Sequence, residues 1–369
     1  MSAKLKIGFG VLLTLAAIAS TVYFLQKPST EPAITRVLVL IPETGPAAEY
    51  ARYSKMGFEL GIQAVNEQKL RQLKITYADT KSNPKDGLSA LQYALSVEKP
   101  DIVISLLSSV TKAVAPVLAE QRIPVIANAV AAPGLAKPEQ GLFRVFPTSS
   151  EVSALACARL KGLNSHGVVV VYVNDEYGLG CRTTFSEHAK QLGLEILAAE
   201  PFEAVQKDFR TQWERLLALN PDAIFVAGYG PGYATVLQQL AERRFDKTIV
   251  TDFTLTAPSV IKAVQGLPDG TLVISPKVPR EFISRSRRSF SDAAYFVNIA
   301  TAHDAILLAA EASKLVSDGK SKNLIDALRV ASNTQAALEK VSFNDKGDVI
   351  VPMEIITLKS LRLEISGRP

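Results

Sequence analysis

Residues 222–240 read DAIFVAGYGPGYATVLQQL. An apolar, strand-like run from Ala223 to Ala227 meets three alternate glycines, Gly228, Gly230 and Gly232, and passes into a helical stretch. A dinucleotide-binding turn needs G-x-G-x-x-G, whose last glycine lets strand and helix pack closely. Position 233 is Tyr, and no acid suited to a ribose follows. Either the glycines make a purely structural turn, or they turn the chain sharply enough to present Tyr229 towards a cleft.

The same strand, loop and helix order recurs on both sides of this stretch. TRVLVLI precedes a helix expected over 47–66, LKITYAD one over 84–97, DIVISLL one over 110–120, and IPVIANA makes the fourth strand. After GLFRVFPTSS the rhythm restarts: HGVVVVYVN with a helix over 178–192, LEILAAEPF with 209–219, DAIFVAGYG with 233–243, then TIVTDF and TLVISP. β-rich runs alternating with helices of this length imply a parallel sheet covered on both faces. A chain of 369 residues with 47% apolar content has room for two such α/β halves in tandem.

In such sheets ligands collect at the carboxyl ends of the strands, where loops meet helix N-termini. The loops there are PETGPAAEY, SLLSSVT and NAVAAP in the first half, and NDEYG, GYGPG and TDFT in the second. They are small, hydroxyl-bearing and aromatic, and none is the G-x-x-x-x-G-K-[ST] of a phosphate loop.

The formal net charge of +5 is partly local to the N-terminus: Lys4, Lys6 and Lys27 lie in the first 30 residues, which contain no acid, leaving +2 for the rest. The short basic runs at 243–245 and 284–289 are flanked by acids and read as solvated surface, not a nucleic-acid footprint. Two lysines before an uncharged apolar run over 7–25 mark residues 1–30 as an export signal or a membrane anchor. Ala17-Ile18-Ala19 suits cleavage, whereas the continuation VYFL gives the run anchor length. No cysteine stands here, so lipobox acylation is excluded, and the body is expected in the periplasm or on the outer face of the cytoplasmic membrane.

Cys157 and Cys181 are either a disulfide or two buried thiols. His166, His188 and His303 are scattered, so neither a metal nor a cofactor is expected. Glu43, Asp175 and Glu176 are cleft-side acids without a nucleophile or metal cluster around them; they read as surface acids and the chain as a non-enzyme. The run AAYFVNIATAHDAILLAAEASKLV reads as a core helix with His303 packed inside.

LIPETGPAAEYARYSKMGFELGIQAVNE resembles the first strand, loop and helix of the Leu/Ile/Val-binding protein family, the type I periplasmic binding proteins of ABC importers. The likeness continues through VISLLSSVTKAVAPVLAEQRIPVIANAVAAPGL, FRVFPTSSEVSALA, VVVVYVNDEYGLGCRTTFSEHAKQLG, the 222–240 stretch and SFNDKGDV, covering nearly everything from about residue 36. It implies two doubly wound parallel-sheet lobes joined by a three-crossing hinge, 36–148 plus 278–340 and 149–277 plus 341–369. Hinges are expected near 146–149, 275–278 and 341–348. A small-molecule ligand is expected between the lobes and an ABC transporter permease as partner.

Carried over residue by residue, the family's cleft aromatics fall on Tyr50, Tyr177 and Tyr229, and its carboxylate-binding serine on Ser109 beside Ser108. The loop after the fourth strand, similar to S-P-x-A-T in the amino-acid binders, places Ala129 and Ala131 at the cleft. Ala131 stands where a threonine hydroxyl would bind the ligand carboxylate. The family's acid for the ligand ammonium aligns at or next to Phe253, leaving Asp252 as the nearest carboxylate. Both ends of an α-amino acid are thus less well served than in those binders.

Overall fold

TRVLVLI forms a strand whose last five residues are buried, as a parallel strand covered on both faces requires. The structure is a computed structural model and describes residues 34–359 and 362–365, Gln265 excepted. The 7–25 run read as signal or anchor lies outside the described residues. In chain order come β1 (Thr35–Ile41), α1 (Ala48–Glu67), β2 (Leu73–Asp79), α2 (Pro84–Val97), β3 (Ile102–Leu106), α3 (Ser108–Glu120), β4 (Val125–Asn128) and β5 (Leu142–Arg144). The five strands form one parallel sheet, ordered β2-β1-β3-β4-β5.

The second lobe holds α4 (Ser149–Gly162), β6 (Gly167–Val173), α5 (Glu176–Leu192), β7 (Glu195–Phe202), α6 (Arg210–Leu217), β8 (Ala223–Ala227), α7 (Gly230–Glu242), β9 (Thr248–Asp252), α8 (Pro258–Ala263) and β10 (Leu272–Pro276). The chain then returns through α9 (Arg280–Ser289) to α10 (Phe296–Ser317), which packs along α1, then α11 (Leu324–Val330) and the hairpin β11 (Ser332–Ala336) and β12 (Glu339–Ser342). It ends as β13 (Met353–Lys359) and β14 (Arg362–Ile365), which add antiparallel to the second sheet in the order β14-β13-β10-β9-β8-β6-β7. Two doubly wound α/β lobes with three crossings, after β5, β10 and β12, are the result.

α10 is buried almost throughout, from Val297 to Ala310, and a helix apolar all round belongs in a core. His303 is packed there against the Phe282 ring, with Nδ1 2.7 Å from Asp304 Oδ1. Asp304 also accepts from the amides of Ala337 and Leu338, pinning the hairpin to the helix. Cys157 and Cys181 are both buried free thiols, the second of the two readings, and burial pushes Cys157 up to about 12.

One polar clip holds the hinge. Arg144, at the end of β5 and almost fully buried, donates Nε to Asp348 Oδ1 at 2.8 Å and sets Nη2 2.8 Å from the same oxygen. Its Nη1 donates to the Ala132 carbonyl at 2.6 Å. The first crossing, the third crossing and the loop after β4 are thereby tied together. α4 then starts on a reciprocal cap: Thr148 accepts from the Glu151 amide and the Glu151 carboxylate accepts from Thr148 N–H.

Candidate functional site

The loops at the carboxyl ends of the two sheets face each other across one small cavity. Tyr50, Leu107, Ser108, Ala129 and Ala131 line it from the first lobe, Asp175, Tyr177, Tyr229 and Phe253 from the second, with Phe146 at the first crossing. The cavity volume is about 20 Å³, room for roughly one water.

Local backbone geometry sets each wall. Leu107 closes the turn after β3 at φ 70° and ψ 136°, a region that costs a residue with a Cβ on the order of 1–3 kcal/mol and that clusters at ligand sites. The turn starts α3 at Ser108, two residues earlier than the apolar pattern suggests, so Ser108 and Ser109 form its first turn. Ser108 Oγ accepts from the Ala132 amide at 3.2 Å, linking the β3 and β4 loops. Ser109 is half-buried and does not line the cavity. In the second lobe Gly230 takes φ +76° and begins α7, three residues earlier than expected. Tyr229 is the residue before the helix, and its ring reaches the cavity.

Two carboxylates stand behind the tyrosines. Asp175 caps α5 by accepting from Gly178 N–H at 3.0 Å and accepts from the Tyr229 hydroxyl at 2.7 Å. Burial pushes its carboxyl up, against the pull of those hydrogen bonds. It is not a surface acid, as its sequence context suggests, but part of the cavity wall. Glu43 sits outside the wall, paired with Lys55 at 2.6 Å.

Asp252 is fully buried and does not line the cavity. Its oxygens accept from the Tyr177 and Tyr233 hydroxyls and from the amides of Gly228 and Thr254. Neighbouring Phe253 reaches the cavity instead. Burial raises Asp252 to about 6, opposed by the bonds from Tyr177, Gly228 and Thr254. A folded pKa above the unfolded value favours the protonated native state, so this contribution is full below about pH 4 and is lost as pH rises through about 6. The stability of wild type relative to Asp252→Asn is therefore expected to fall by roughly 2 kcal/mol between pH 4 and pH 7.5, measured by urea unfolding. Parallel pH profiles for the two proteins would contradict it.

The lobes also touch directly. The Tyr50 hydroxyl hydrogen-bonds with Thr254 Oγ1 at 3.0 Å and accepts from the Tyr295 hydroxyl at 3.3 Å, while its ring meets Tyr229 edge-on at 6.0 Å. Lys112 pairs with Glu176 at 2.7 Å, and the Ser259 hydroxyl donates to Glu49. Tyr50 separates the inner cavity from an outer one of about 420 Å³ lined by Pro46, Glu49, Pro231 and Gln238 among others. Among the described residues there is no group of three or more His, Cys, Asp or Glu able to hold a metal, and no helix long and apolar enough to cross a membrane.

Two α/β lobes, with three crossings and a cavity between the sheet ends, define a hinged binding fold. The family model for periplasmic binding proteins matches residues 35–360, and the chain belongs to that family, as a type I member of the Leu/Ile/Val-binding group. It is 23% identical over 326 residues to Leu/Ile/Val-binding protein homolog 1 of Brucella melitensis biotype 1, covering 85% of this chain and 86% of that protein. Its fold is similar to that of the leucine binding protein LivK from Thermotoga maritima MSB8, at TM-score 0.81 and 21% identity, covering 90% of this chain and 98% of that one. A solute binding protein of an R. palustris ABC transporter, solved with benzoate, matches at TM-score 0.80 and 18% identity, covering 90% and 95%.

Proposed function

We propose that the chain is an extracytoplasmic solute receptor that closes on a small polar ligand, an amino acid, amide or organic acid, and delivers it to an ABC importer. The observation that carries this reading is the convergence of Tyr50 and Ser108 from one lobe with Tyr177 and Tyr229 from the other on a single cavity between the strand ends. The names of the relatives, which bind leucine or benzoate, support the ligand class. In this reading Ser108 and Ser109, with the free amides of the first turn of α3, receive a carboxylate or carbonyl. Ala129 and Ala131 floor the site with backbone, the three tyrosines enclose the ligand, and Asp252 fixes Tyr177 from behind. The lobes hinge as 36–148 plus 278–340 against 149–277 plus 341–369, and residues 1–30 direct export or anchor the chain.

A thermal-shift screen against amino acids, amides and organic acids tests the proposal. A ligand that binds only the native state stabilises it by RT ln(1 + [L]/Kd), about 2.7 kcal/mol at a hundredfold excess over Kd. At least one solute of these classes is expected to raise the melting temperature in proportion to the logarithm of its concentration.

One observation favours a second reading, an envelope regulatory or interaction module of the same fold. The inner cavity is small, and Tyr50 bridges the lobes directly through Thr254. Such a module shows no shift with any solute in the screen.

A further inference from the structure

The basic run at 284–289 does more than face solvent. Arg285 pairs with Glu67 at 3.2 Å and Arg288 is exposed, but Arg287 lines a cavity of about 380 Å³ at the second crossing. The end of β10 and the start of β13 form one wall of it, with Ser275, Pro276, Glu354 and Ile356, and α9 and the start of α10 form another. On α9, Arg280, Ile283 and Arg287 recur at i, i+3 and i+7, so one helix face brings both guanidiniums to the cavity. The buried Phe282 and Ser286 belong to a different face, where Phe282 packs on His303. None of the residues lining this cavity lines the inner or the outer one. Arg280 and Arg287 are both exposed, so the cavity is open to a ligand from solvent on their side.

We propose that this cavity is a second binding site, for a small amphipathic organic anion: an aromatic or branched apolar body carrying a carboxylate or sulfonate that Arg280 and Arg287 receive. Its volume lies within the range of small-molecule pockets, roughly 300–1,000 Å³. Val278, Ile283, Phe296, Val297 and Ile356 supply apolar surface. Two guanidiniums share the lining with one carboxylate, and among the described residues none of Arg280, Arg287 and Glu354 is held in an ion pair. Arg287 lies over the Phe296 ring, 5.0 Å from its centre. Glu354 stands opposite Ser275 in the ladder of β10 and β13. Burial pushes its carboxyl above the usual range, against the pull of Lys277 and Arg280, so the lining as a whole favours an anion. A guanidinium without a carboxylate partner presents a planar fork of donors that matches an acid group. A bare inorganic anion would meet the arginines and leave the apolar wall uncovered. An uncharged apolar molecule would cover the wall and leave the arginines unmet. An amphipathic anion uses both, and the proposal does not depend on which solute the inner cavity takes.

Fluorescence titration with a matched pair of dyes tests the site. 8-Anilinonaphthalene-1-sulfonate and N-phenyl-1-naphthylamine share one aromatic skeleton and differ in the sulfonate. Wild type is expected to bind the sulfonate at one site per chain, about tenfold or more tightly than the neutral amine. Arg280→Gln with Arg287→Gln is expected to weaken the sulfonate by about tenfold or more and to abolish the preference between the two dyes. Glu354→Gln removes the opposing charge from a different element, β13, and is expected to tighten the sulfonate about threefold or more. Opposite responses to changes on α9 and β13 put the dye between them. The proposal is overturned if wild type does not bind the sulfonate or binds both dyes alike. It is equally overturned if the arginine double variant keeps the affinity of wild type, or if Glu354→Gln leaves it unchanged. Should the double variant fail to fold, the dye preference of wild type and the Glu354→Gln titration still decide.

Discussion

Gly178→Ala is expected to destabilise the second lobe by about 3 kcal/mol or more and to abolish solute binding. A methyl group at position 178 would lie 1.8 Å from the carbonyl oxygen of Val173, 2.7 Å from its carbon and 2.9 Å from its nitrogen. These are backbone atoms of the last residue of β6, buried on both sides, so no side chain can swing aside. Either β6 or α5 must shift. α5 begins with Glu176 and Tyr177, and the Gly178 amide is the donor that Asp175 caps. A shift there displaces Asp175 and Tyr177 from the cavity together. Gly162→Ala, at the end of α4, is the control: no atom lies within 4 Å of its added methyl, and helix propensity makes that change neutral or slightly favourable. Urea unfolding of the two variants compares them directly, and equal midpoints would refute the close approach of α5 to β6.

Asp348→Ala is expected to cost roughly 3–5 kcal/mol, the usual result of leaving one buried charge unpaired. Arg144 is 2% exposed and Asp348 takes both its Nε and Nη2. Removing that carboxylate leaves the guanidinium with the Ala132 carbonyl and a charge that water cannot reach. Coulomb attraction alone does not make such a pair stabilising relative to apolar replacements. Arg144→Met with Asp348→Leu together is accordingly expected to recover much of the loss. Differential scanning calorimetry of the single and double variants measures this, and a single variant as stable as wild type would contradict it. Because Ala132 follows the cavity residues Ala129 and Ala131, Asp348→Ala should also weaken binding at a position far from it in sequence.

The α/β rhythm was legible because parallel strands covered on both faces are nearly continuous apolar runs, as in VVVVYV and AIFVA. The late pair β13 and β14 was not, since MEIITLK mixes charged and apolar residues and its partner β10 lies some eighty positions earlier. Helix starts slipped for a single reason. Periodicity sees the apolar face of a helix, whereas α3 and α7 begin on serines, glycine and proline governed by the turns at Leu107 and Gly230. The tyrosines Tyr50, Tyr177 and Tyr229 came from the family resemblance, and all three line the cavity. Leu107, Phe146 and Phe253 could not be placed from the sequence: apolar residues at strand ends look like core, and only the three-dimensional meeting of the lobes gives them a surface. The hinge clip was likewise invisible, because Arg144 and Asp348 are 204 positions apart.

Small-angle X-ray scattering of the body from residue 35 onward, with and without a solute found in the screen, tests the receptor reading most directly. Closure follows a ligand only through contacts that differ between the open and closed states, and the contacts here come from both lobes at once. Addition of the solute to wild type is expected to reduce the radius of gyration towards that of the closed structure, and Tyr229→Ala to diminish both the binding and the change. A solute that binds tightly while the scattering profile stays superimposable on that of the free protein would contradict ligand-driven closure.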